Sequence, residues 1–255
     1  MAAVPDKPEQ TPDPSLRSSD GIVIIGINNY RDLGDFSRLF QRETELSAAI
    51  RQAKAVVFDL RSLYPLTQDE RGNSGNLFDL AGLASELPTS LSTSPSERRR
   101  MHIGFAPQRG STSGDYGSAF YVGQGHTFTP AKGAPNVPLV FVINRDSGLP
   151  DVALALQSAG KAAIVAEGPV DDSLVVTTQN IPLSDGLEAQ IHLGELLYDD
   201  GTGGFQPNVT VAASTIRGDR NPAFQTALAL SRKFETSGTP RKHLPASFGS
   251  APDPA

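Results

Sequence analysis

The stretch Pro138-Leu-Val-Phe-Val-Ile-Asn-Arg-Asp-Ser-Gly-Leu-Pro-Asp-Val-Ala-Leu-Ala-Leu-Gln-Ser-Ala-Gly-Lys-Ala-Ala-Ile-Val-Ala-Glu-Gly-Pro169 reads strand, turn, helix, strand. Leu139 to Ile143 is a short, continuous apolar run rich in branched residues, the pattern of a parallel strand buried on both faces. Asp146-Ser147-Gly148 is turn chemistry. Pro150 suits the first turn of a helix, where its missing N–H costs nothing, and Asp151 favours that terminus through the helix dipole. Val152, Leu154, Ala155 and Leu156 supply an apolar face, Gly160 ends the helix, and Ala162 to Ala166 forms the next buried strand. A strand-to-helix turn is a place for a nucleophile, because the helix start offers backbone N–H groups to a developing oxyanion.

Outward from this unit the pattern alternates between strands and helices. Gly21 to Asn28 reads as a strand and Asp35 to Gln52 as a helix with a stripe of Phe36, Leu39, Phe40, Leu46, Ala49 and Ile50. Ala55 to Leu60 is a buried strand, and Leu77 to Leu87 a helix. Leu91 to Glu97 is rich in Ser, Thr and Pro and reads as a loop. The basic run Arg98-Arg99-Arg100 reads as a solvated turn before a strand over Met101 to Ala106, and Ser118 to Val122 as a further strand. Val175 to Leu183 and Leu187 to Leu193 form an antiparallel pair about the turn Ser184-Asp185-Gly186. The sequence therefore predicts one α/β domain over residues 21–235, preceded by a disordered leader, 1–20, and followed by a disordered tail, 236–255.

Composition narrows the function classes. The chain has 255 residues, 38% of them hydrophobic, enough for a sizeable core. A formal net charge of −6 argues against a general nucleic-acid surface. With no cysteine there are no disulfides or thiolate metal sites. The four histidines, His102, His126, His192 and His243, show no metal-ligand spacing. The expectation is no metal and no cofactor. Apolar runs of strand length predict no membrane span. Oligomeric state is not encoded in any of these features.

Taken in order, the blocks resemble the tail-specific (C-terminal-processing) serine peptidases, whose relatives include the tricorn core protease and the retinoid-binding-protein repeats. Asn144, Asp151, Ala155, Leu156, Gly160-Lys161-Ala162 and Glu167 match the family's strand, turn and helix. Lys54 to Arg61 is similar to its buried strand ending in Asp-Leu-Arg. Leu183 to Gly186, followed by Gly201 to Val211 with Pro207-Asn208-Val209, is similar to its late hairpin and Gly-rich loop. Asn221 to Leu230 resembles its terminal helix. The resemblance spans Gly21 to Arg232. It implies a crotonase/Clp-protease-like spiral of ββα units, a serine-type hydrolase acting on a peptide or protein C-terminus, and a periplasmic or extracellular site of action.

The departures bear on chemistry. The nucleophile position falls on Gly148 when counted from Asp151, and on Leu149 when counted from Asn144. Ser147 stands one or two residues early. Where the resemblance implies a general-base lysine, the chain reads Gly168-Pro169-Val170-Asp171-Asp172-Ser173. The loop after Arg61 is also altered: a Gly-Asn-Ser-Gly string comes only at Gly72 to Gly75, with Gly75 the candidate oxyanion donor beside Gly148. Two readings follow. In one, the domain is catalytically impaired and binds a peptide or partner. In the other, it is an active hydrolase with Ser147 as displaced nucleophile, Asp171 or Asp172 as helper, and Gly148 and Gly75 in the oxyanion site. Asn144 and Asp151 support the turn in either case. Asp59 and Arg61, which end a buried strand, orient a neighbouring loop by hydrogen bonds, since a charge near a core requires a partner.

Overall fold

Four apolar runs of five or six residues must each cover both faces, and a parallel sheet with helices on either side does this. In the computed structural model, which describes residues 15–27, 42–61, 91–93, 98–101, 119–122, 126–128, 136–170, 176–195 and 204–237, the chain is mixed α/β. Its main sheet contains β1 (Ser15–Ser19), β2 (Ile22–Gly26), β3 (Ala55–Asp59), β8 (Leu139–Asn144), β9 (Ala162–Glu167) and β12 (Val209–Val211), in the order β1-β2-β3-β8-β9-β12. All neighbours are parallel except the β1–β2 hairpin. The three expected strands from the 55–60, 139–143 and 162–166 runs are adjacent at its centre. The described helices are α1 (Glu43–Gln52), α2 (Asp151–Ser158) and α3 (Pro222–Ser237).

Alternation along each strand divides the core in two. Val23, Ile25, Val56, Phe58, Phe141 and Ile164 pack with Leu46 and Ile50 of α1 and Val152 and Leu156 of α2. Ile22, Ile24, Val57, Val140, Val142 and Val165 pack with Ala223, Phe224, Ala227 and Leu228 of α3. The sheet is thus the middle of three layers. Gly160 takes φ +70°, and the Gly160 and Lys161 N–H groups bond to the carbonyls of Gln157 and Leu156, closing α2 in a left-handed cap that glycine adopts without strain.

A second sheet has the order β10-β11-β5-β6, with β5 (Arg98–Met101), β6 (Ala119–Val122), β10 (Val176–Pro182) and β11 (Glu188–Glu195), and β4 (Leu91–Thr93) pairs with β7 (His126–Phe128). Three expectations are corrected here. Residues 15–19 of the assigned leader are strand, because Asp20 (φ 54°) and Gly21 (φ 81°) form the two-residue hairpin turn that reverses β1 onto β2. Arg98 to Arg100 are strand rather than turn, since β11 and β6 provide backbone partners on both sides. Leu91 to Thr93 are likewise paired rather than loop. The helix expected at 77–87, most of the strand expected at 101–106 and the start of the 35–52 helix lie outside the described residues.

The stacked rings of Phe58 and Phe141, 5.2 Å apart and fully buried, join the two central strands. Phe141→Ala is expected to lower unfolding free energy by about 3–5 kcal/mol through lost burial and the cavity left behind, read from the urea midpoint at unchanged slope.

Candidate functional site

In open parallel sheets, loops that carry chemistry leave from the carboxyl ends of the strands. Here those ends are level: the Leu60 N–H reaches Val142 O at 2.9 Å, the Gly168 N–H reaches Val211 O at 2.7 Å, and Asn144 lies opposite Glu167. Asp59, Arg61, Asn144, Ser147, Gly148, Glu167 and Asn221 meet at or near this edge.

Arg61 is the centre of a buried network. Its Nε and one terminal nitrogen donate to the two carboxylate oxygens of Asp59 at 2.8 and 2.7 Å, and its other terminal nitrogen donates to Glu167 Oε2 at 2.8 Å. Glu167 Oε1 accepts from Asn221 Nδ2 at 2.9 Å and from the Ser214 N–H at 3.1 Å. Asn221, itself fully buried, donates also to Ile216 O, while its Oδ1 accepts the N–H groups of Ala223 and Phe224 and so caps α3. One guanidinium and two carboxylates are therefore satisfied through contacts reaching 106 residues along the chain.

Burial works against the Arg61 charge, but hydrogen bonds and charge from Asp59 and then Glu167 outweigh it and hold the guanidinium above its ordinary range. Burial likewise pushes the Glu167 carboxyl up. Hydrogen bonds from Arg61 and Asn221, the Arg61 charge and the Ser214 N–H together pull it below the usual value. Held this way, Glu167 ties the end of its strand to Arg61, Asn221 and the Ser214 backbone.

Ser147 lies in the turn before α2 but is completely buried. The Asp146 N–H bonds to Asn144 Oδ1 at 3.2 Å, which identifies that atom as the carbonyl oxygen of the side chain. The Ser147 hydroxyl donates to the same oxygen at 2.8 Å and accepts the Asn144 N–H at 2.8 Å. Its proton thus rests on an amide oxygen, which is not a base. Gly148 and Leu149 are buried beside it. Lys161 Nζ reaches Asn136 Oδ1 at 3.3 Å, and both residues precede their strands, at the opposite edge of the sheet. Asp151 begins α2 after Pro150, which occupies the cap position. Asp171, Asp172 and Gly75 lie outside the described residues. No cluster of three His, Asp or Glu side chains positioned for a metal occurs among the described residues.

The sequence reading did not foresee the role of Asn221. Its signal was Asn221-Pro222, a capping residue followed by proline at the first helical position. The partner Glu167, 54 residues away, has no local signature.

No family model and no curated protein matches the chain. Among solved structures it is similar to a lipoprotein from Streptococcus agalactiae, with 12% identity and TM-score 0.49 over 89% of this chain and 71% of that one. It is also similar to the photosystem II D1 C-terminal processing protease, with 16% identity and TM-score 0.39 over 87% of this chain and 48% of that protein. A third similarity is to mature CPAF, with 11% identity and TM-score 0.46 over 84% of this chain and 50% of that one. The chain spans about half the length of the latter two. The likeness is in overall chain course, and no residue role is carried over from it.

Arg61→Met leaves two buried carboxylates facing each other, and is expected to cost about 3–5 kcal/mol in a urea titration at neutral pH. The depressed Glu167 carboxyl contributes stability that is fully present above its unfolded value, near 4.5, and is lost as pH falls through its lower folded value. Stability of the native chain should therefore drop on acidification below about pH 4.5, and Glu167→Gln should be less stable at pH 7 with a flatter acid limb.

Proposed function

We propose that the chain is a peptidase-like domain of the tail-specific type, built on a crotonase-like spiral and spanning about residues 15–237, that lacks a working hydrolytic centre and binds an extended peptide or a protein C-terminus. The carrying observation is the Ser147 turn. Cleavage requires a hydroxyl that faces substrate and gives its proton to a base, whereas this hydroxyl is buried and bonded at both ends to Asn144. The Asp59-Leu60-Arg61 strand end, the Asn144 turn and Glu167 retain the order that the family resemblance requires, which supports a preserved cleft edge without the chemistry. Arg145 follows Asn144 at this edge with its side chain 77% exposed and its Nε 3.6 Å from the Asp146 carboxylate, and a peptide carboxylate would compete with that long pairing for the guanidinium. Such a domain would act in the periplasm or outside the cell.

The test has two parts. The unmodified chain should neither react with a fluorophosphonate probe nor cleave casein, and Ser147→Ala should lose about 1–3 kcal/mol of stability because both hydrogen bonds of the buried Ser147 hydroxyl are removed. Fluorescein-labelled peptides with a free C-terminus should give saturable anisotropy that amidation or Arg145→Ala weakens. Labelling or proteolysis that disappears in Ser147→Ala would return the chain to the active hydrolases.

A further inference from the structure

Three Asp-Gly pairs occur in the chain, Asp20-Gly21, Asp185-Gly186 and Asp200-Gly201, the last outside the described residues. Glycine after aspartate leaves the next backbone nitrogen open to the side-chain carboxyl, because no Cβ stands in the way. The two described pairs both turn a hairpin through positive φ, Asp20 at 54° and Gly21 at 81°, Asp185 at 62° and Gly186 at 73°. Their local chemistry is the same. What separates them is what surrounds each turn.

The Asp20 turn is held on several sides. Its carboxylate accepts from Arg232 of α3 at 3.2 Å, the Gly21 carbonyl accepts the Lys54 N–H at 2.8 Å, and the Lys54 side chain lies 3.0 Å from where a Cβ on Gly21 would stand. Ladder pairing runs up to the turn, with Ser19 opposite Ile22, and β2 is buried along its length. The Asp185 turn, at the tip of the β10–β11 hairpin, has none of this. Among the described residues no hydrogen bond or ion pair holds the Asp185 carboxylate. Residues 181–188 are exposed, and no atom comes within 4 Å of a Cβ built on Gly186. The turn is closed by the Leu187 N–H on Ser184 O at 3.4 Å, a long bond, with the Leu183 N–H on Leu187 O at 2.7 Å behind it.

We propose that Asp185-Gly186 is a site of spontaneous backbone isomerisation in the folded protein. The Gly186 nitrogen, giving up its proton, bonds to Asp185 Cγ, and the side-chain hydroxyl leaves as water, closing a five-membered imide. Water then adds back at one of the two imide carbonyls. Opening at Cγ restores aspartate, whereas opening at the main-chain carbonyl leaves the chain running through the side chain as isoaspartate. One water leaves and one returns, so no further reactant is required. Ring closure needs the Gly186 nitrogen to eclipse the Asp185 Cβ, which takes the backbone far from its ψ of 26°. A tip that packs against nothing and is closed by one long bond permits that swing; the pinned Asp20 turn does not. The product inserts an extra carbon into the chain between Leu183 and Leu187 and so breaks the short bond that joins them.

Incubation of the full chain in heavy-oxygen water at neutral pH, followed by digestion in ordinary water and mass spectrometry of each peptide, tests this. The Asp185 peptide should gain heavy oxygen, with fragment ions of the side-chain linkage, at close to its rate in the urea-unfolded chain. The Asp20 peptide should be slowed by folding about tenfold or more. Asp185→Glu, whose ring would be one atom larger, should lose the label at this position, and Asp185→Asn should quicken conversion by releasing ammonia in place of the first water. Circular dichroism melting confirms that each variant folds, and neither replacement touches a packed residue. An unlabelled Asp185 peptide, an Asp185 site protected by folding as strongly as Asp20, or a label in that peptide that survives Asp185→Glu would overturn the proposal.

Discussion

The Arg61 guanidinium spans the end of a strand to which it does not belong. It leaves β3 and reaches Glu167 at the end of β9, and β8 lies between the two in the sheet. The turn carrying Asn144 and Ser147 emerges from β8 at that crossing. A charge shared between the ends of β3 and β9, across β8, fixes their relative heights, because each carboxylate must stay within hydrogen-bonding distance of one planar donor fork. The loop containing Ser214 and the cap of α3 join through Glu167 and Asn221, so four chain segments meet at one cluster.

Hydrophobic residues of similar volume would avoid the desolvation of three charges, and buried ion clusters are weak evidence for stability as such. What the cluster supplies is direction. Asp59 and Arg61 follow Val57 by alternation, and Glu167 follows Val165, so all three point to the α3 face of the sheet. On that face the apolar layer stops at the strand ends and hydrogen-bonded geometry takes over. Apolar contacts accept sliding and rotation; a bidentate pair with satisfied outer partners does not.

The same alternation explains how far the sequence could be read. The apolar runs at 55–60, 139–143 and 162–166 are long enough, and bounded sharply enough by turn residues, that adjacency in a parallel sheet follows from the need to cover both faces. Asp59 and Arg61 at the end of one run required hydrogen-bond partners, which the sequence assigned to a neighbouring loop and the structure gives to each other. Their third member was hidden, since nothing local links Arg61 to Glu167 or Glu167 to Asn221. The arginine run at 98–100 misled for a related reason: charge suggested solvent, while strand pairing on both sides came from segments distant in sequence. The β1 hairpin was legible in Asp20-Gly21 but masked by the proline-rich residues before it.

The Ser147 turn is held by more than one residue. Asn144 supplies an acceptor to the Ser147 hydroxyl and the Asp146 N–H, and its own N–H returns to Ser147, while its carbonyl takes the Ser147 N–H at 3.1 Å. This small closed circuit dictates the course of the chain into Gly148, Leu149 and the Pro150 cap, all buried. A serine introduced at 148 would therefore begin in a packed environment, with the neighbouring turn held by four hydrogen bonds that its side chain does not share. Exposing it requires the Asn144 circuit to open, and the Arg61 bridge between the flanking strands keeps the end of β8 where that circuit is best formed. The buried network and the Ser147 turn thus reinforce each other: the first holds the strand ends level, and the second uses that level edge to turn its hydroxyl inward.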